Sequence, residues 1–266
     1  MILDSNSWLH KVRDVEIKYL ISILNNFINQ KKIKNATILE IGSGDGYVIE
    51  KLAKLYPQYK FCGLEVNSSS YENKSSKVIQ YDGLKMDFLK EKYDLIFSLH
   101  VLEHIEDLID HSKQISQILK PNALWVNIVP SSTWRLLTTI NYYPSIIVNF
   151  SSLLRKYKKV KNIKNKKYKS KFSSNIFTYI LPQRHGENGN FLSELYYFSK
   201  SFWVKKIMHL CSLNAMTLIH FSEVPYVYCS RDLFRNFLTD KIRYFLSKLI
   251  GGSSIAFIVK NQKISF

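Results

Sequence analysis

The segment LEIGSGDG, residues 39–46, constrains this chain more than any other feature. It follows a strand-forming run, ATILEI at 36–41, and leads into a helical pattern, YVIEKLAKLY at 47–56. Gly42, Gly44 and Gly46 let the backbone turn sharply and approach a ligand with no Cβ in the way. The helix behind them aims amide donors and a positive dipole end at that ligand. The loop therefore predicts a βα unit with a ligand site at the carboxyl end of its strand.

The ligand is not a dinucleotide by this pattern. A G-x-G-x-x-G fingerprint needs a third glycine for close helix–strand packing. Counted from Gly42 that position is Tyr47, and counted from Gly44 it is Ile49. Glu40 and Asp45 would also repel a pyrophosphate, whereas they suit a ligand carrying ammonium and sulfonium charges.

Further strands follow at 60–66 (KFCGLEV), 77–82 (KVIQYD), 93–101 (YDLIFSLHV) and 123–129 (ALWVNIV). Helical spacing covers 10–31, a polar stretch at 67–76 begins another helix, and 106–120 is an amphipathic helix that Pro121 stops. Strands alternating with helices over short connections predict parallel βαβ units in a doubly wound sheet. Glu65 ends the second strand about 20 residues beyond the loop, where a carboxylate accepts from both hydroxyls of a ribose. Asp82, before Gly83, ends the third strand and can meet an adenine amino group. Ser98, Leu99 and His100 end the fourth.

The set ILEIGSGDG (38–46), GLEVN (63–67), YDG (81–83) and YDLIFSLHVLEHIED (93–107) resembles the class I S-adenosylmethionine (SAM) dependent methyltransferases. The resemblance covers about residues 36–130, the expected SAM-binding core of a single domain spanning 1–266. It implies an α/β, Rossmann-like, doubly wound, seven-stranded, mostly parallel sheet whose last strand, 253–260, runs antiparallel. SAM is the implied cofactor. Glu40, Gly42, Gly44, Glu65, Asp82 and the backbone near Leu99 are the implied lining. Ser43, Asp45, Gly46, Val66, Gly83 and His100 complete the expected cofactor set.

Methyl transfer to a hydroxyl needs alignment, exclusion of water and a base. Glu103 and His104 lie just after strand four; their bland alternative is a structural turn. Quinone-biosynthesis relatives carry E-x-x-E-H here, linked to a divalent metal. This chain has His100-x-x-Glu103-His104, so one carboxylate is replaced and no metal is expected. A second constellation is His185, Gly186 and Glu187, with Glu194 nine residues after His185, in a turn-rich loop able to hang a side chain over the cofactor. His185 is the preferred base, with His104 and Glu187 as the other catalytic candidates.

After Pro130 the alternation stops, and 131–190 reads as an inserted, aromatic and basic, substrate-side segment; 191–266 completes the sheet with a helix at 191–212, a strand at 215–224, an amphipathic stretch at 231–250 and the final strand. PSSTWRLLTTINYYPSI and PQRHGENGNFLSELYYFSKSFW resemble a methyltransferase subgroup of bacterial surface-polysaccharide biosynthesis. That implies O-methylation of a sugar on a glycan or on its lipid- or nucleotide-linked precursor, with Trp134, Tyr142, Tyr143 and Tyr196 as candidate stacking surfaces. Alternatives are an RNA methyltransferase and a quinone or lipid O-methyltransferase.

The net charge of +17 is uneven: residues 131–172 hold eleven basic and no acidic groups, and without them the excess is +6. The charge therefore belongs to one segment and not to a wide groove for nucleic acid, and strand four exits through SLHV and not through [DNS]-P-P-[YF]. Residues 136–154 are apolar but interrupted; with the lysines up to 171 they fit peripheral contact with an anionic membrane. The start of the chain lacks a signal-peptide pattern and Cys62, Cys211 and Cys229 are scattered, which fits a cytoplasmic protein at or near the inner membrane face. Nothing in the sequence fixes the oligomeric state.

Overall fold

A computed structural model describes residues 5–31, 35–66, 75, 77–148, 181–229 and 238–262. Most of the helix start expected at 67–76, the basic block 155–171 and the amphipathic residues 231–237 lie outside the described residues. The elements in chain order are α1 (Ser5–Lys31), β1 (Thr37–Ile41), α2 (Tyr47–Leu55), β2 (Lys60–Val66), β3 (Val78–Tyr81), β4 (Tyr93–Leu99), a 3-10 turn (Leu102–His104), α3 (Leu108–Ile118), β5 (Leu119–Pro130), α4 (Ser132–Val148), α5 (Glu194–Tyr197), α6 (Lys200–Leu213), β6 (Met216–Val224), α7 (Asp240–Ile250) and β7 (Ser254–Asn261).

The seven strands form one sheet in the order β3-β2-β1-β4-β5-β7-β6. Strands β1 to β5 pair in parallel, while β7 runs antiparallel to both β5 and β6. This is the Rossmann-like α/β architecture that the sequence implied. The strand order reverses between β1 and β4, so the carboxyl ends of those two strands open a crevice for a ligand.

Alternation within each strand feeds two core layers. Ile38, Leu95, Phe97, Val126 and Ile258 pack under α1 and α2. Leu39, Ile41, Ile96, Trp125 and Phe257 pack under α3 and α6. Strands covered on both faces explain why DLIFSL carries almost no polar residue. A smaller cluster of Val12, Trp134, Phe198, Tyr226 and Tyr228 joins α1 to the start of α4 beside the crevice.

The structure moves three boundaries. The helix expected at 106–120 spans only Leu108–Ile118, because Asp107 caps it by accepting from Ile109 N and Asp110 N, and Leu119 is already extended. Pro121 then sits inside β5, where the register with β4 shifts between Tyr93 and Leu95 and no ladder bond is asked of it. The single helix expected at 191–212 is two, broken where Ser199 caps α6 through Phe202 N. The segment after Pro130 is not irregular at its start: α4 follows β5 at once and carries Pro144 within it. Cys62 is half-buried and Cys211 and Cys229 are buried. Among the described residues no helix is long and apolar enough to cross a membrane.

Candidate active site

The glycine loop is tied to β2. Gly42 N and Ser43 N both donate to Leu64 O, at 2.8 and 3.0 Å, and Gly44 N donates to Glu65 Oε2 at 2.6 Å. Gly42, Gly44 and Gly46 all take positive φ, and a Cβ at Gly42 would collide with the Val101 side chain. The loop can only be this close to the β4 exit because the residue is glycine. Between loop, β2, β3 and β4 lies a cavity of about 730 Å³. Gly42, Gly44, Glu65, Val66, Gly83, Leu99, His100 and His104 line it, together with Arg13, Met86, His111 and Gln114.

The other expected cofactor residues lie differently. Glu40, Ser43 and Asp45 line a small recess beside the loop with His10, Arg13 and Tyr47. Asp45 accepts from Tyr47 N and meets His10 Nε2 at 3.1 Å, and the His10 ring stacks on Tyr47. Gly46 precedes α2 in the left-handed conformation, where a Cβ would press on Ser75. Asp82 is exposed and its carboxylate accepts from Leu84 N and Lys85 N, so it shapes the turn while Gly83 and Leu84 face the cavity.

Helix α1 supplies what sequence reading missed. Arg13 and Glu16 sit three residues apart and pair at 2.6 Å. Glu16, 1 % exposed, accepts from His100 Nε2 at 2.7 Å, and the Tyr228 hydroxyl joins them at 2.8 Å from His100 and 2.7 Å from Ser254 Oγ. The available signal was a glutamate inside the apolar stripe of an amphipathic helix. Burial alone would lower the His100 imidazole, but the Glu16 charge and Glu103 outweigh it and raise it to about 9. Burial alone would raise Glu16, but His100 and Arg13 hold it near 2. His100 takes φ 58, a conformation non-glycine residues rarely adopt, at the edge of the cofactor cavity.

These shifts set a pH window. The raised His100 contributes stability that is whole below about pH 6.5 and is lost as pH rises through about 9. The depressed Glu16 contributes stability above about pH 4.5, lost as pH falls through about 2. The melting temperature of the ligand-free protein is therefore expected to fall between about pH 8 and 10. His100→Asn removes most of that slope. Equal slopes by scanning fluorimetry would contradict this network.

Glu40 is the opposite case. It is 2 % exposed, and Oε2 has no hydrogen-bond partner among the described residues. Burial pushes it up to about 8, with Glu65 and Asp45 adding to the rise and Arg13 opposing it.

The second constellation assembles around Glu103. Its side chain is fully buried and, among the described residues, neither carboxylate oxygen has a partner at hydrogen-bond distance. Three imidazoles stand just beyond: His100 Nδ1 at 3.6 Å, His185 Nε2 at 3.7 Å and His104 Nε2 at 3.9 Å. Burial would raise Glu103, yet the three histidines hold it near 2. Burial lowers His104, with His185 adding to that and Glu103 opposing it. The His104 and His185 rings meet edge-on with centroids 4.7 Å apart.

The loop that presents His185 is held from beneath. Glu194 Oε1 accepts from His185 N at 2.5 Å and Gly186 N at 2.8 Å, and Oε2 pairs with Arg135 Nε at 3.1 Å. Arg135 also donates to Phe191 O and Gln183 O, so this fully buried ion pair is tied to the backbone on the arginine side as well. A Cβ at Gly186 would lie 2.9 Å from Glu103 O, which is how close this loop rests on the 3-10 turn. Glu187 N donates to Glu103 O, but the Glu187 carboxylate turns to Arg184 and away from the cofactor cavity. Trp134 is buried with its ring 4.5 Å from His185 and 6.2 Å from Phe198, so it is a wall for that imidazole and not an open stacking surface. Tyr142 is half-buried, while Tyr143 and Tyr196 are exposed.

Sheet order, glycine loop and strand-end carboxylate together define a class I SAM-dependent methyltransferase fold. A family model described as a methyltransferase domain matches residues 10–171, and the chain belongs to that family. The ubiquinone biosynthesis O-methyltransferase of Pelagibacter ubique (strain HTCC1062) is 27% identical over 128 residues, 44% of this chain and 52% of that protein. The protein of the same description from Rickettsia prowazekii (strain Madrid E) is 25% identical over 125 residues, 44% and 48% of the two chains. The chain thus spans about half the length of the curated relatives it matches. Among solved structures, the plantazolicin methyltransferase BpumL in complex with SAH superposes with a TM-score of 0.54 at 13% identity, over 96% of this chain and 88% of that one. The methyltransferase domain of bacterial CtHen1 gives 0.51 at 10% identity, over 94% and 100%.

Proposed function

We propose that this chain transfers the methyl group of SAM to a hydroxyl of a small organic acceptor, with His104 taking the hydroxyl proton. The observation that carries the reading is the buried Glu103 carboxylate against His104 and His185 at the rim of a cavity already lined by the glycine loop and Glu65. A volume of about 730 Å³ is in the range of cofactor sites. Arg13 faces it with a guanidinium for the cofactor's carboxylate, and the unpartnered Glu40 oxygen in the adjoining recess suits its ammonium. Glu65 and the Val66 backbone suit the ribose, and Gly83 with Leu84 the adenine edge.

SAM, when bound, supplies a methyl group on a sulfonium that an in-line oxygen nucleophile takes. As an acceptor oxygen took that methyl from the sulfonium, leaving the neutral thioether, its hydroxyl proton would pass to the neutral His104 imidazole. Burial favours that neutral form. Glu103 then stabilises the imidazolium. The sequence alone favours His185, but His104 lines the cavity itself, and His185 braces it through Glu103. Glu187, turned to Arg184, takes no step in this reading.

The acceptor class follows the curated relatives, which are named for ubiquinone biosynthesis. A sugar hydroxyl of a surface glycan is the other class, and it loses Trp134 as a stacking platform. The test incubates the protein with SAM and separate panels of catechols, other phenols, free and nucleotide-linked sugars, and RNA, and follows acceptor mass. A gain of one methyl on a hydroxyl supports the proposal. Methylation of RNA or of an amine alone would overturn it.

A second reading has its own observation. One atom each of Glu103, His104 and His185 lie within 4.8 Å of one another, and the Glu103 oxygens lack hydrogen-bond partners. Such a nitrogen and oxygen donor set fits a divalent transition ion, which would bind an acceptor hydroxyl and lower its pKa. Turnover unchanged after exhaustive chelation favours the base; loss restored by added metal favours the ion.

A further inference from the structure

We infer that α7 and the outer stripe of α4 form a docking face for an anionic lipid surface. Helix α7, DKIRYFLSKLI, is turned outward relative to an ordinary core helix. It buries Arg243 and Ser247 and leaves Phe245 60 % and Leu249 66 % exposed, with Ile242 and Ile250 exposed beside them. At about 100° per residue these four apolar side chains share one arc. The arc cannot simply roll inward. Arg243 Nε donates to Leu238 O at 3.1 Å, Nη1 donates to Val227 O at 2.9 Å, and the guanidinium lies 4.9 Å from the Trp8 ring centroid. Rotating the helix would strip a buried guanidinium of these partners, which opposes the turn.

Helix α4 continues the face. Thr133 Oγ1 donates to Ile250 O at 2.8 Å, joining the first turn of α4 to the end of α7. Leu136, Ile140 and Tyr143 follow on the same side of α4 and are exposed. The opposite side of α4 buries Trp134, Arg135, Thr138 and Asn141, with Trp134 against His185. One helix diameter, roughly 10 Å, therefore separates the apolar stripe from the catalytic loop.

Charge selects the partner. Lys241 and Lys248 are exposed along one flank of the arc, and the only acid of α7, Asp240, is engaged by Lys11 and the Tyr226 hydroxyl. In sequence, residues 155–171, just beyond α4, hold ten basic and no acidic groups. Two copies of a +17 chain repel one another across a lysine-flanked face, whereas an anionic bilayer attracts it. Among the described residues no helix can span a membrane, so the helices lie along it, apolar arc down and lysine heads at the phosphates. The sequence alone points to membrane contact at 136–171; α7 is the added element, and it sets the His185 loop near molecules dissolved in the bilayer.

The test is co-sedimentation of the full chain with phosphatidylcholine vesicles containing or lacking phosphatidylglycerol. Binding is expected only to the anionic vesicles, weakened by salt, and reduced roughly tenfold or more by Phe245→Ser with Leu249→Ser. Both positions are exposed, and an unchanged melting temperature and SAH affinity verify the variant's fold. No preference for anionic vesicles, or a double variant that binds as the wild type does, overturns the inference. A dimer in light scattering that the double variant disperses also overturns it, in favour of a second copy of the chain.

Discussion

Glu103→Gln is expected to lower kcat roughly 10²-fold or more while leaving the affinity for SAH within about threefold. Glutamine fills the same space but carries no charge. Among the described residues the carboxylate has no backbone or hydroxyl donor to lose, and its ionic neighbours are the three imidazoles at 3.6 to 3.9 Å. What disappears is the charge that stabilises a proton on His104 in the transition state. The same charge now opposes the lowering of His104 by burial. Without it the imidazole loses its proton at lower pH, so the acid limb of the rate profile moves down while the maximum falls. A role confined to packing would cut stability and leave that limb in place. His104→Gln should reproduce the loss in kcat, and His185→Gln should give a smaller one. An unchanged kcat in Glu103→Gln would remove the proposed base.

Glu65→Ala is expected to weaken SAM and SAH binding by roughly 10²-fold, read by calorimetry, with kcat at saturation changed far less. Glu65 is 8 % exposed and accepts from Gly44 N at 2.6 Å and Val66 N at 3.1 Å. It fixes the glycine loop and, at the same time, presents acceptors to the cavity. Hydrogen bonds to a charged group contribute about 1.5–3 kcal/mol each, and two lost from a buried position reach that factor. Glu65→Gln can still accept from Gly44 N but lacks the charge, and it should fall between wild type and alanine. Wild-type affinity in the alanine variant would mean that the cofactor does not lie along β2.

Local chemistry was legible and long-range chemistry was not. The glycine loop, Glu65 and the β4 exit each announce themselves within a few residues, because a turn with positive φ admits little but glycine and a ligand carboxylate must stand at a strand end. The Glu16, His100 and Tyr228 cluster joins α1, the end of β4 and the stretch that follows β6. No sequence spacing relates those three. Likewise the Glu103 and His185 pairing spans 82 positions, and Glu194 was only half legible: its distance from His185 stood out, but not its two bonds to that loop. Asp82 carries a turn role that its sequence context left open: Oδ1 accepts from Leu84 N and Lys85 N. Pro121 misled because a proline that ends a helix in one register sits without cost in a strand irregularity in another. Trp134 carries the same lesson for aromatics: its ring is occupied by His185 and Phe198, which composition cannot foresee.

The central claim is that the cavity between the glycine loop and Glu65 holds SAM. Calorimetric titration of the intact chain with SAM, and separately with NAD, tests it most directly. One-to-one SAM binding at micromolar concentration and no heat with NAD is the expected result. A folded protein that binds NAD and ignores SAM would contradict it.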